Sequence, residues 1–198
     1  MHLAIGDWSP ATEQKVVGFL PWFFAHEAAH LFQFAGEKGG GDYTQQAWIH
    51  EGGADAFAAL SVARLGGTRE YADQRVGKAV GLCATGLRGL GGRPLNASAD
   101  AGAFDNYYQC GLLMHLAVDA EVRRASRGKR DLFDVWADFL ARMRAGAPWN
   151  QDEFLAAARR AGASGSADFC LALAAQPQPD PEPYLRAQLA RAGVKLRP

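Results

Sequence analysis

Apolar residues recur at helical spacing through most of this chain. The clearest example lies over residues 131–144, where apolar side chains stand at positions i, i+3, i+4, i+7, i+8 and i+11. This spacing places them on one face of an α-helix, where they form a core-facing stripe. Strand-like alternation is limited to a short candidate at residues 2–5. The pattern therefore predicts a mainly α protein.

Capping and helix-breaking residues set the bounds of the other predicted helices. A helix is expected over 21–37, with Pro21 in its first turn and three glycines after its end, and a separate helix is expected over 11–20. Glycines between residues 77 and 102 predict a long irregular connection. Capping and periodicity predict further helices over 45–65, 104–126, 150–161 and 166–175.

A proline-rich segment divides the predicted chain into two parts. Residues 176–183 contain four prolines in eight positions, a composition typical of a stiff spacer. We therefore expect a helical domain over 1–176, followed by a spacer and a short C-terminal helix over 177–198.

Composition and charge exclude several classes of function. The chain has 198 residues, 48% of them hydrophobic, which is enough for one domain with a buried core. Its 21 basic residues equal its 21 acidic residues and form no long block, so a nucleic-acid partner is not expected. No window reaches the roughly 18 to 20 apolar residues of a membrane span. The first eight residues lack a secretory-signal pattern, and the cellular location stays open.

Three cysteines stand far apart in the sequence. Cys83, Cys110 and Cys170 are an odd number at wide spacings, which matches neither a disulfide framework nor a metal-binding Cys-x-x-Cys pair. We expect them to be small buried apolar residues.

Residues 26–30 read His-Glu-Ala-Ala-His inside a predicted helix. Because residues four apart lie one above the other on a helix, His26 and His30 can hold one metal ion between them. Glu27 lies on an adjacent part of the surface, where a carboxylate can reach a metal-bound water without becoming a ligand. The alternative is two core histidines whose partners are main-chain groups or carboxylates.

Two carboxylates on the next predicted helix complete the candidate site. A catalytic zinc ion ordinarily takes three protein ligands, and Glu51, which follows the second histidine by 21 residues, is the expected third. Asp55 lies one turn further along, where it can bond the outer nitrogen of a ligand histidine. Gly52 and Gly53 allow the two helices to approach closely. The alternative for both carboxylates is a solvated helix face, and His50 is expected to point about 100° away from Glu51.

These segments resemble the gluzincin metallopeptidases, whose pattern is His-Glu-x-x-His followed by a glutamate on a second helix, often as Glu-Gly. Residues 48–54, Trp-Ile-His-Glu-Gly-Gly-Ala, are similar to that second segment, and the spacing from Glu51 to Asp55 is similar to the thermolysin-type arrangement. Residues 106–132 resemble the Tyr-x-Lys-Gly helix of the glycyl aminopeptidase family and the turn that follows it. The resemblance covers about residues 25–145.

The resemblance implies the helical catalytic part of a zinc peptidase that acts on peptides through a metal-activated water. The implied zinc ligands are His26, His30 and Glu51. The implied supporting carboxylate is Asp55, and the implied general base is Glu27. It further implies that Tyr108 stabilises the oxyanion, with Tyr107 as the second choice and simple packing as the alternative role. His115 is expected to be a structural histidine with Asp119 as its partner; the alternative is that the pair lines the cleft.

Two features depart from the family pattern. Cys110 stands where the family usually has lysine, and the 25 residues before His26 contain neither the β-rich part nor the Gly-x-Met-Glu-Asn segment of the aminopeptidase branch. We therefore expect that this chain either is part of a longer protein or has a reduced active site. Three hypotheses stay open: a zinc-dependent, aminopeptidase-like hydrolase, a zinc-binding scaffold that recognises a peptide or protein partner, and a helical domain in which His-Glu-x-x-His arose by chance.

Overall fold

The computed structural model describes residues 10–34, 44–62, 64 and 69–196. Within these ranges the chain forms eight α-helices and one short 3₁₀-helix, without a strand, so the prediction of a mainly α protein is confirmed. The helices are α1 Pro10–Gln33, α2 His50–Val62, α3 Arg69–Gly89, α4 Asn106–Ala125, α5 Leu132–Arg144, α6 Gln151–Arg160, α7 Ser164–Ala175 and α8 Pro181–Ala192. The candidate strand at 2–5 lies outside the described residues.

Helix α2 is central and packs between α1 and α4. Glycine is required where α2 meets α4, because a Cβ atom on Gly52 would overlap the main chain of Gly111. A Cβ added to Gly53 would lie 2.8 Å from the side-chain amide nitrogen of Gln33 on α1 and 2.8 Å from the ring of Trp136 on α5. The close approach of α1 and α2 therefore depends on Gly53, whereas Gly52 serves a contact with α4 that the sequence did not predict.

The apolar stripe of α5 is buried as predicted except for Met143, which is partly buried, and the helix begins with a capping box formed by Asp131 and Asp134. Asn150 caps α6 by accepting a hydrogen bond from the Glu153 main-chain N–H. Helix α8 begins at Pro181, so the last two prolines of the expected spacer lie in its first turn. Its apolar side chains are buried against α3 and α4. The division of the chain after residue 176 stays a prediction.

Three predicted boundaries are wrong. Helix α1 runs without interruption through Pro21 and ends at Gln33, so the expected break between 20 and 21 does not occur. Helix α2 is shorter than the predicted 45–65, because residues 44–49 form turns. The expected irregular connection begins only after Gly89, since residues 69–89 form α3.

Helix α3 forms despite its glycines because one of its faces is buried. Its buried residues are Ala72, Ala79, Val80, Cys83, Ala84 and Leu87, and this face packs against α4. A disulfide between Cys83 and Cys110 joins these two helices. The prediction of three unlinked apolar cysteines is therefore wrong for this pair, while Cys170 is a buried free thiol whose pKa is raised by that burial. None of the described helices is long and apolar enough to cross a membrane.

Candidate metal centre

Helices α1 and α2 bring together the side chains of His26, His30 and Glu51. The Oε2 atom of Glu51 lies 3.3 Å from Nε2 of His26 and 3.4 Å from Nε2 of His30. The two Nε2 atoms are 3.0 Å apart. The two histidines project from consecutive turns of α1, and Glu51 stands in the first turn of α2. Three donor atoms from two helices therefore converge on one point.

The spacing of these donors fits a zinc ion. Bonds of about 2.0 to 2.2 Å in a tetrahedral site separate neighbouring donor atoms by roughly 3.3 to 3.6 Å. The observed separations of 3.0, 3.3 and 3.4 Å are close to three edges of such a tetrahedron. Two imidazoles and one carboxylate are also a ligand set that leaves the fourth position of a catalytic zinc site for water or substrate. The residues present thus suit zinc in both chemistry and spacing.

Asp55 holds the ring of His26 from the side opposite Glu51. Its Oδ1 atom lies 3.0 Å from Nδ1 of His26 and accepts a hydrogen bond from Nε1 of Trp22, also at 3.0 Å. Its Oδ2 atom accepts a hydrogen bond from Arg75 at 3.3 Å. Because a carboxylate accepts and Nδ1 donates here, Nε2 of His26 is directed toward Glu51. The sequence predicted the place of Asp55 but gave no sign of Trp22 or Arg75.

Gln33 supports the second histidine and was missed by the sequence reasoning. Its Oε1 atom lies 2.9 Å from Nδ1 of His30, and its Nε2 atom donates to the main-chain carbonyl of His50 at 3.0 Å. The side chain is fully buried. Its position three residues after His30 was the available signal, because residues i and i+3 share a helix face.

His50 lies closer to the centre than expected. Its Nε2 atom is 3.5 Å from Oε1 of Glu51, the carboxylate oxygen that does not face the other two histidines. His50 and Glu51 leave the helix about 100° apart, as predicted, but their side chains are long enough for the two end groups to meet. His50 is buried and stands beside the ring of Trp149, at 5.8 Å between centroids.

Hydrogen bonds and charges in this cluster shift its proton equilibria. Burial opposes the charged form of His26, but the carboxylates of Asp55 and Glu51 outweigh burial and raise its pKa to about 9. Burial likewise opposes ionisation of Glu51, yet its contacts with the neighbouring histidines His26, His30 and His50 hold its pKa far below the usual range. Without a metal ion, the cluster therefore keeps a proton on His26 at neutral pH, and a cation must displace that proton to bind.

Tyr108 is the tyrosine that reaches the cluster. Its ring stacks on the ring of His26, with 5.9 Å between centroids. Burial, together with the negative charge of Glu51, raises the pKa of its hydroxyl. Tyr107 is fully buried, and its hydroxyl donates to the main-chain carbonyl of Asn96 at 2.9 Å. Tyr107 therefore serves packing, and Tyr108 is the candidate for a role in chemistry.

A cleft of about 250 Å³ opens beside the cluster. Glu27 is exposed and lies on its wall. The other lining residues are Phe19, Trp22, Phe23, His26, Asp55, Tyr71, Arg75 and Tyr108. Glu27 and His26 thus border the same space, which is where a substrate beside the cluster would lie.

His115 is remote from this cleft. It is fully buried, its Nδ1 atom lies 2.9 Å from the carbonyl of Gly111, and burial lowers its pKa to about 4. The prediction of a structural histidine is correct, but its partner is a main-chain carbonyl. Asp119 accepts hydrogen bonds from Arg123 and from the main-chain N–H of Leu132.

Comparisons of this chain with protein-family models, curated proteins and solved structures find no match. Function is therefore inferred from the chemistry of the cluster and from the sequence pattern that produces it. The ligand spacing, the outer hydrogen bonds and the adjacent cleft are the observations that carry it.

Proposed function

We propose that this chain is a zinc-dependent hydrolase of the gluzincin type, aminopeptidase-like, acting on peptide bonds. One observation carries the proposal. Two imidazole Nε2 atoms and one carboxylate oxygen lie at the mutual spacing of zinc ligands, beside a cleft that also contains an exposed carboxylate. The resemblance of residues 25–145 to that class supports the same reading.

The proposal gives each residue one role. His26, His30 and Glu51 hold the zinc ion, which lowers the pKa of a water toward about 7 and polarises a carbonyl when bound. Glu27 takes a proton from the water and returns it to the leaving amine. Tyr108 donates a hydrogen bond to the developing oxyanion.

The experiment is an assay of the purified chain, loaded with one equivalent of zinc, on peptides with free and with blocked amino termini. Glu27→Gln should retain zinc and lose turnover, since the amide cannot accept the proton. Glu70→Gln is the matched control, because Glu70 is an exposed glutamate of α3 that does not line the cleft, and it should leave turnover unchanged. An active Glu27→Gln protein would rule out the proposed base.

A metal-binding scaffold is the second candidate function. The stacking of the Tyr108 ring on His26 favours it, because a ring packed against a ligand histidine supports the site rather than a substrate. On this hypothesis the chain binds zinc stoichiometrically and recognises a peptide or protein partner without cleaving it. Zinc binding without cleavage of any peptide in the assay would favour the scaffold over the hydrolase.

A further inference from the structure

We propose that Gln33 is a positioning residue that fixes the ring of His30, with Nε2 directed at the metal position, and ties that ring to the main chain of α2. The inference rests on the proposed zinc site. It concerns a residue outside the His-Glu-x-x-His pattern, and its effect on His30 can be measured without zinc.

The orientation of the Gln33 amide follows from its partner on α2. The main-chain carbonyl of His50 can only accept a hydrogen bond, so the group 3.0 Å from it must be the Nε2 amide of Gln33. The other end of the same side chain, Oε1, then faces Nδ1 of His30 at 2.9 Å. Because a carbonyl oxygen cannot donate, Nδ1 of His30 must carry the hydrogen.

That assignment decides which nitrogen of His30 can bind a cation. A neutral imidazole carries one hydrogen, so a hydrogen on Nδ1 leaves a lone pair on Nε2. Nε2 is the atom that faces Glu51, at 3.4 Å, and His26, at 3.0 Å. Gln33 therefore does for His30 what Asp55 does for His26, and both rings present their Nε2 atoms to the same point.

The surroundings of Gln33 prevent it from taking another position. Its side chain is fully buried, so water cannot replace either hydrogen bond. The amide occupies the space left by Gly53, where an added Cβ would lie 2.8 Å from Nε2 of Gln33. Gly53 thus leaves room for Gln33, and also for the ring of Trp136, which an added Cβ would meet at the same 2.8 Å.

An amide suits this position better than a carboxylate. The cluster already contains the carboxylates of Glu51 and Asp55, and a third negative group beside them would be repelled. A carboxylate at position 33 would also place an oxygen against the carbonyl of His50, where the amide donates. Gln33 therefore orients an imidazole without adding charge.

The first test is nitrogen NMR of the metal-free protein labelled with ¹⁵N-histidine, recorded as a function of pH so that the neutral form of the His30 ring is observed. We expect His30 to carry its hydrogen on Nδ1 in the native chain and to lose that preference in Gln33→Met, which has similar length but neither hydrogen bond. Gln33→Glu keeps an acceptor and should retain the Nδ1–H form. A native His30 with its hydrogen on Nε2 would overturn the proposal, whether or not any variant folds.

The second test is zinc affinity, measured by competition with a chromophoric chelator. Gln33→Met should bind zinc about 10 to 100 times more weakly, the usual effect of removing a partner that orients a ligand. Gln74→Met, at a glutamine of α3 that bonds Glu70 on the surface, is the matched control and should bind as the native chain does. Unchanged zinc affinity in Gln33→Met would contradict the proposal. If the native chain binds no zinc, the proposed function fails, while the NMR result still decides the role of Gln33.

Discussion

Replacing Asp55 with Asn removes a charge while conserving the shape of the side chain. Asp55 is 1% exposed and accepts hydrogen bonds on both oxygens, from Trp22 and His26 on one side and from Arg75 on the other. An amide has a single acceptor atom, so one of these two sides must face an NH₂ group. Each hydrogen bond to a charged group contributes about 1.5 to 3 kcal/mol, and an unpaired buried donor adds a desolvation penalty. We expect Asp55→Asn to lower the free energy of unfolding of the metal-free protein by about 2 to 4 kcal/mol.

The same substitution should weaken zinc binding, because the ring of His26 loses the group that orients it. We expect a loss of about 10- to 100-fold in affinity. Urea denaturation with and without zinc measures both effects. Asp168→Asn is the control, since Asp168 is exposed and pairs with Arg159 on the surface, and it should change stability by less than about 0.5 kcal/mol. Native-like stability and zinc affinity in Asp55→Asn would refute the assigned role of Asp55.

Three further predictions concern pH, packing and the disulfide. The raised pKa of His26 stabilises the metal-free protein fully below pH 6.5, and this contribution is lost as the pH rises through about 9. Urea midpoints should therefore fall over that pH range without zinc and fall much less with zinc. Equal falls with and without zinc would contradict this role of His26. Gly52→Ala should lower the melting temperature through overlap with α4, whereas Gly81→Ala, with open space around its Cβ, should not; equal melting temperatures would count against this packing. Reducing the bond between Cys83 and Cys110, 27 residues apart, should lower the free energy of unfolding by about 3 to 4 kcal/mol in urea, and an unchanged midpoint would argue against the bond.

Local patterns in the sequence predicted what depends on local geometry. The stripe of α5 fixes its buried face, and Asn150 marks the start of α6, because periodicity and capping act within one helix. The spacing of His26 and His30 predicts two imidazoles on one face for the same reason. Glu51 follows His30 by 21 residues, a separation that lets a second helix return to the two imidazoles.

The remaining features depend on contacts between distant segments. The glycines of α3 predicted a loop because each costs a helix about 1 kcal/mol, and only burial against α4 outweighs that cost. Gln33 gives no signal apart from its spacing, since its second partner is a main-chain carbonyl on α2. Arg75 comes from a third helix, and no local pattern pairs it with Asp55. Pro21 would ordinarily end a helix, yet α1 continues through it.

The most direct test of the metal centre is X-ray absorption spectroscopy of the full chain loaded with zinc, combined with metal analysis after dialysis. We expect one zinc ion per chain, bound to two imidazole nitrogens and one carboxylate oxygen at about 2.0 to 2.2 Å, and loss of the ion in His26→Ala. Dialysed protein without stoichiometric zinc, or zinc retained unchanged in His26→Ala, would contradict it.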